Sequence, residues 1–115
     1  MSTVNQRIRG AVLPHVSVCV HGTYRPGATE EAAEIYCEFN YAESPELFGD
    51  DAPGAMRYLC QVHLYAPASV DTVQLRKDLR RAIHAADFTY PNVEDASDED
   101  GQHFVFEFED TDGEV

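Results

Sequence analysis

Three stretches of this chain place an apolar side chain at every second position, and a period of two commits them to a sheet. Ile35, Cys37, Phe39 and Tyr41 interleave with Glu34, Tyr36, Glu38 and Asn40. Met56, Tyr58, Cys60, Val62 and Leu64 interleave with Arg57, Leu59, Gln61, His63 and Tyr65. Phe104, Phe106 and Phe108 interleave with Val105, Glu107 and Glu109. The first of these has a polar outer side, as a half-buried strand requires. The second is apolar on one side and mixed on the other, so its mixed side is expected to meet a partner or a second layer. Val16, Val18 and Val20 predict a further short strand, and residues 87–93 another, interrupted by Pro91.

Elsewhere the period changes to that of a helix. Val4, Ile8 and Val12 share one face of residues 4–13, and Pro14 ends that segment. Leu75, Leu79, Ala82, Ile83 and Ala86 form an apolar stripe along residues 70–86, which Ser69 or Asp71 can cap. Arg76, Lys77, Arg80 and Arg81 fall largely outside the stripe. Residues 22–29 and 42–54 read as loops, and residues 94–101 as an acidic turn. Strands therefore follow one another instead of alternating with helices. That order predicts an α+β fold, a mostly antiparallel sheet of four or five strands with two helices packed on one face. A chain of 115 residues fits one domain, read as residues 1–110, followed by a flexible acidic tail at 111–115.

Charge narrows the function. There are 21 acidic residues against 8 basic ones, a formal net charge of −13, and Lys77 is the single lysine. A field of that sign repels phosphate, which excludes sequence-specific nucleic-acid binding. Cys19, Cys37 and Cys60 are isolated within strand-like runs and read as small buried hydrophobes in a reducing compartment. Cys60 and His63 are three apart and must point to opposite faces of a strand, and no spacing typical of zinc ligands occurs. No nucleophile motif or glycine-rich phosphate loop is found. The reading is a protein that is not an enzyme, with no catalytic, cofactor-binding or metal-binding residues and no membrane partner. Residues 1–10 hold no apolar segment of the secretory kind, which points to an intracellular protein.

Arg76, Lys77, Arg80 and Arg81 supply half of the positive charge, while ten acids lie between Glu94 and Glu114. A basic helix on one copy could therefore meet acidic loops on the next, a head-to-tail contact of unlike patches that closes into a ring when the rotation allows. The interface candidates are these four cations together with Glu46, Asp50 and Asp51 in the 42–54 loop. An ordinary solvated helix face accounts for the same cations equally well.

The segment from Ile35 to Phe108 also resembles the small tail-completion, or tail-terminator, proteins of long-tailed bacteriophages. The likeness rests on the aromatic strand Glu34-Ile-Tyr-Cys-Glu-Phe-Asn-Tyr41, an acidic loop ending in Gly49-Asp50-Asp51, and the strand Tyr58-Leu-Cys-Gln-Val-His-Leu-Tyr65. It continues through Ala66-Pro67 into a long helix, Ala86-Asp87-Phe88, an acidic turn and the closing strand His103-Phe-Val-Phe-Glu-Phe108. The resemblance implies an antiparallel sheet flanked by helices and a ring-shaped homo-oligomer, commonly hexameric, within the virion. Its implied neighbours are the tail tube protein and the head-closure or neck proteins, with DNA only passing through the lumen. It supplies no signature residues that carry over one by one. Two other readings stay open: a dimeric ligand-binding or regulatory domain, and another neck component such as a head-closure protein.

Overall fold

The computed structural model describes residues 3–47 and 53–112. Seven elements follow in order: α1 (Val4–Val12), β1 (Cys19–His21), β2 (Tyr36–Leu47), β3 (Pro53–Ala66), α2 (Val73–Ala85), β4 (Asn92–Asp95) and β5 (Gln102–Asp112). The strands make one sheet in the order β1-β2-β3-β5-β4, antiparallel throughout except where β1 runs parallel to β2. This is the α+β architecture expected from the order of strands and helices.

Register turns the period of two into rows across the sheet. Cys19, Cys37, Leu64 and Phe104 form one row, and His21, Phe39, Val62, Phe106 and Val93 the next. Tyr41, Cys60 and Phe108 form a third. These rows line the buried side and pack with Ile8 and Val12 of α1 and Leu79 and Ile83 of α2. The alternate residues of the same strands face the other way.

Both helices have identifiable ends. Thr3 caps α1 reciprocally with Gln6: its hydroxyl accepts from the Gln6 N–H at 3.1 Å, and the Gln6 amide oxygen accepts from the Thr3 N–H at 2.9 Å. α2 starts at Val73, three residues later than the apolar stripe suggests, because the chain is held back by Gln102. The Gln102 amide donates to the carbonyls of Pro67 at 2.8 Å and Val70 at 2.5 Å, and its oxygen accepts from the buried Thr72 hydroxyl at 2.6 Å. Asp71, not Ser69, accepts from the first helical N–H, that of Val73, at 3.0 Å. After α2, Asp87 adopts a φ of 70°, a left-handed position that stops the helix.

Several boundaries depart from the sequence reading. Residues 42–47 and 53–54, read as loop, extend β2 and β3 into a long hairpin. Pro45 is tolerated there because odd-numbered β2 residues turn their backbone groups away from β3, as the bonds of Cys37 N–H to Val18 and of Gly22 N–H to the Phe39 carbonyl show. Proline on an outer edge forfeits no ladder bond and blocks pairing with a stray strand. β4 begins after Pro91 instead of spanning it, and takes in Glu94 and Asp95 from the supposed acidic turn. β5 runs on to Asp112 and so takes in residues 111 and 112 of the stretch read as a flexible tail, and Asp110 just before them is a buried strand residue. Asp50 and Asp51 lie outside the described residues.

Candidate functional site

The helices cover one side of the sheet, and the other side carries no helix among the described residues. Its residues follow from the same register. Tyr36, Tyr65 and His103 make one row, Glu38, His63, Val105 and Glu94 the next, then Asn40, Gln61, Glu107 and Asn92, then Ala42, Leu59 and Glu109. Cys60 points into the core while His63 points out, as their spacing requires.

Across this open face runs a ladder of rings. Tyr24 lies 4.8 Å from Tyr36, Tyr36 is stacked on Tyr65 at 4.9 Å, and Tyr65 on His103 at 4.4 Å. His103 in turn meets His63 at 5.1 Å between centroids, with His63 Nδ1 2.8 Å from His103 Nε2. His63 Nε2 is 3.2 Å from the Gln61 Oε1 acceptor. Assigning its proton to that bond leaves Nδ1 to accept from His103 Nε2–H. Burial and then the neighbouring His103 lower the pKa of His63, against a raising pull from Glu38 and Glu107. Burial first, and Glu38 second, raise the pKa values of Tyr36 and Tyr65, which keeps both phenols neutral. Glu38 also accepts from the Tyr24 N–H at 2.8 Å.

This couple has a pH signature. A histidine whose folded pKa is depressed binds protons better in the unfolded chain, so its contribution to stability is present above the unfolded value of about 6.5 and fades as pH falls below it. The urea midpoint is expected to drop between about pH 7.5 and 5, and to drop less in His63→Asn. An identical pH profile in that variant would show that the couple does not control the effect.

Two shallow depressions mark the open face. A cleft of about 470 Å³ is bordered by Glu34, Tyr36, Tyr65, Asp98, Gln102 and His103. A wider groove of about 840 Å³ is bordered by Asn40, Leu59, Gln61, Tyr90, Glu107 and Glu109. Tyr36 and His63 face outward while Tyr58 faces the core side against Tyr41, so no single pocket gathers all three. Exposed aromatics on a sheet suit stacking with nucleobases. In this sheet their faces are occupied by one another and carboxylates surround them, which opposes a phosphate backbone.

The chemistry for covalent catalysis is weak at the thiols. Cys19, Cys37 and Cys60 are free and buried. Burial pushes Cys19 up to about 11 and Cys60 up to about 12, and raises Cys37 further.

The four helix cations, expected on one face, divide into two pairs. Arg76 is half-buried: its guanidinium sits 4.0 Å over the Phe104 ring, and its Nε donates to the Thr72 hydroxyl at 3.2 Å. Arg80 is half-buried too, its Nε without a hydrogen-bond partner among the described residues. Lys77 and Arg81 are exposed. The fold thus brings Arg76 into the core's edge and leaves Lys77 and Arg81 for solvent or a partner. Glu46 lies in β2, far along the chain from either pair.

What pattern reading missed is the joining of His63 to His103 and of Leu59 to Tyr90 and Glu109. Parity placed His63, Tyr65 and Leu59 on one side of β3, but only the β3 to β5 register brings their neighbours. Comparison of the sequence with protein-family models and with curated proteins finds no match.

Proposed function

We propose that this chain is an assembly protein without catalytic activity, a ring-forming tail terminator that joins the head-proximal end of a phage tail to the neck. The observation that carries the reading is a separation of charge between two unlike surfaces. α1 and α2 hold six of the 8 basic residues and one of the 21 acids, whereas the open sheet face sets Glu38, Glu94, Glu107 and Glu109 against Arg57 and its bordering turn is acidic. Unlike surfaces on opposite sides of one subunit favour heterologous, head-to-tail contacts, which give rings when they close. The element order along the chain and a helix-flanked antiparallel sheet agree with what the tail-terminator resemblance implies. A net acidic ring would let DNA slide through its lumen without sticking. On this reading the partners are other copies of the chain, the tail tube protein and the head-closure proteins, within the virion.

Light scattering across a concentration series tests the assembly reading. A discrete multimer is expected at low ionic strength, with its mass falling as salt screens the contact. Lys77→Glu with Arg81→Glu is expected to shift the protein toward monomer while the circular dichroism spectrum stays unchanged. A monomer at every concentration and ionic strength would overturn the ring and favour small-ligand binding in the cleft beside Tyr36. Gene order adds a second test, since genes for neck and tail components lie together.

A further inference from the structure

The exposed ridge of α2 and the groove on the open sheet face match in spacing, charge and apolar content. Val73, Lys77 and Arg81 lie four residues apart in succession and are all exposed, so they form one ridge. Successive members of such a ridge are about 6 Å apart along the axis. In the groove, Glu107 and Glu109 lie two residues apart on one strand and project from the same side, about 6.7 Å from each other. Neither carboxylate and neither cation has an ion-pair partner among the described residues. Beside the charges sit exposed apolar groups: Val73 is 48% exposed on the ridge, and Leu59 42% and Tyr90 54% at the groove.

From this juxtaposition we infer that the groove is a docking site for the α2 ridge of a second copy of this chain. Lys77 and Arg81 pair with Glu109 and Glu107, and Val73 covers Leu59 and Tyr90. The inference rests on the assembly reading and specifies its two halves. The groove replaces Glu46, Asp50 and Asp51 as the acceptor, and Lys77 with Arg81 replaces the full set of four cations as the donor. Two charge pairs at matched spacing fix orientation and register, while the apolar contact supplies burial. Each subunit uses its ridge toward one neighbour and its groove toward the other, so the contact is heterologous.

Two variants separate the halves. Lys77→Glu with Arg81→Glu destroys the ridge and keeps the groove, and Glu107→Lys with Glu109→Lys does the reverse. All four positions are exposed, so circular dichroism and urea midpoints should stay at wild-type values. Each variant alone is expected to be monomeric, its apparent Kd raised about a hundredfold or more by like charges facing one another. An equimolar mixture should recover multimers in which the two variants alternate, because the intact groove of one takes the intact ridge of the other and the two reversed halves also attract. The fourfold variant, with both halves reversed, should recover multimers.

A wild type that forms multimers while both variants still do so would overturn the docking inference and leave the assembly reading standing. A mixture that stays monomeric would overturn it equally, as would failure of the fourfold variant to reassemble. A wild type monomeric under all conditions would overturn both readings, leaving the groove to a basic segment of another protein.

Discussion

Phe106→Ala should lower the free energy of unfolding by about 4 kcal/mol, the usual cost of deleting a buried phenylalanine ring. Phe106 is fully buried between Val62 and Val93 in the row that starts with His21 and Phe39, within the core to which both helices contribute. It has neighbours on both sides in the sheet, so the surroundings can relax little into the vacated space. A domain of this size has a total stability of about 5–15 kcal/mol, so the loss removes a large part of it. Urea unfolding followed by circular dichroism and tyrosine fluorescence measures it, there being no tryptophan. A midpoint shift with an unchanged slope is expected. A loss under about 1 kcal/mol would mean that the ring faces solvent and that β5 pairs with β3 in a different register, because an exposed ring costs little to remove.

The second large effect is expected at Arg7. Its Nη1 donates to Asp110 at 2.7 Å and its Nη2 to the other carboxylate oxygen at 3.1 Å, a fork geometry that lysine cannot reproduce. The same guanidinium donates to the Ala86 carbonyl at the end of α2, from Nε at 3.2 Å and Nη2 at 2.8 Å, and lies 4.3 Å over the Phe88 ring. One side chain thus ties α1 to the end of α2 and to the far part of β5. The hydrogen bond to Asp110 is the main cause of the raised pKa of Arg7, which therefore stays charged through the accessible range. Arg7→Ala leaves Asp110 buried without its cation and strips a partner from the helix end. A cost of about 3 kcal/mol is expected, as for breaking other buried pairs. Arg7→Lys should recover about half of that. In a double-mutant cycle, Arg7→Ala with Asp110→Ala should cost clearly less than the sum of the single changes. Additive losses would show that the two groups do not depend on each other.

The two positions differ in how far local sequence announces them. Phe106 lies in a run of alternating phenylalanines, so its burial follows from period and hydrophobicity alone. Arg7 looks like a polar residue on a short amphipathic helix, and nothing local links it to Asp110, 103 residues away. Asp110 itself sits in an acidic run at the predicted end of the domain and reads as a solvated terminal residue until β5 is seen to continue past it.

The site shows the same division. Period two put His63, Tyr65 and Leu59 on one side of β3 and Glu107 with Glu109 on one side of β5, and charge counting singled out α2. Patterning could not divide Arg76 from Lys77, because both lie outside the apolar stripe and differ only in what stands opposite: Phe104 in one case, water in the other. Loop composition was misleading at residues 42–47, where acids and Pro45 imitate a turn. An outer edge accepts both, since its side chains are solvated and its outward backbone groups have no ladder to lose.

Local periodicity is enough to specify two amphipathic helices, three long alternating strands, the α+β class and the faces that must be buried. Which strands become neighbours is settled only by packing. From that follow the ring ladder from Tyr24 to His63, the meeting of Arg7 with Asp110, and the groove that holds Glu109 beside Leu59. The reason is physical. Periodicity is a property of the backbone repeat and is written into adjacent residues, whereas register is the outcome of a competition among whole packed arrangements, in which each contact is set by residues remote in the chain.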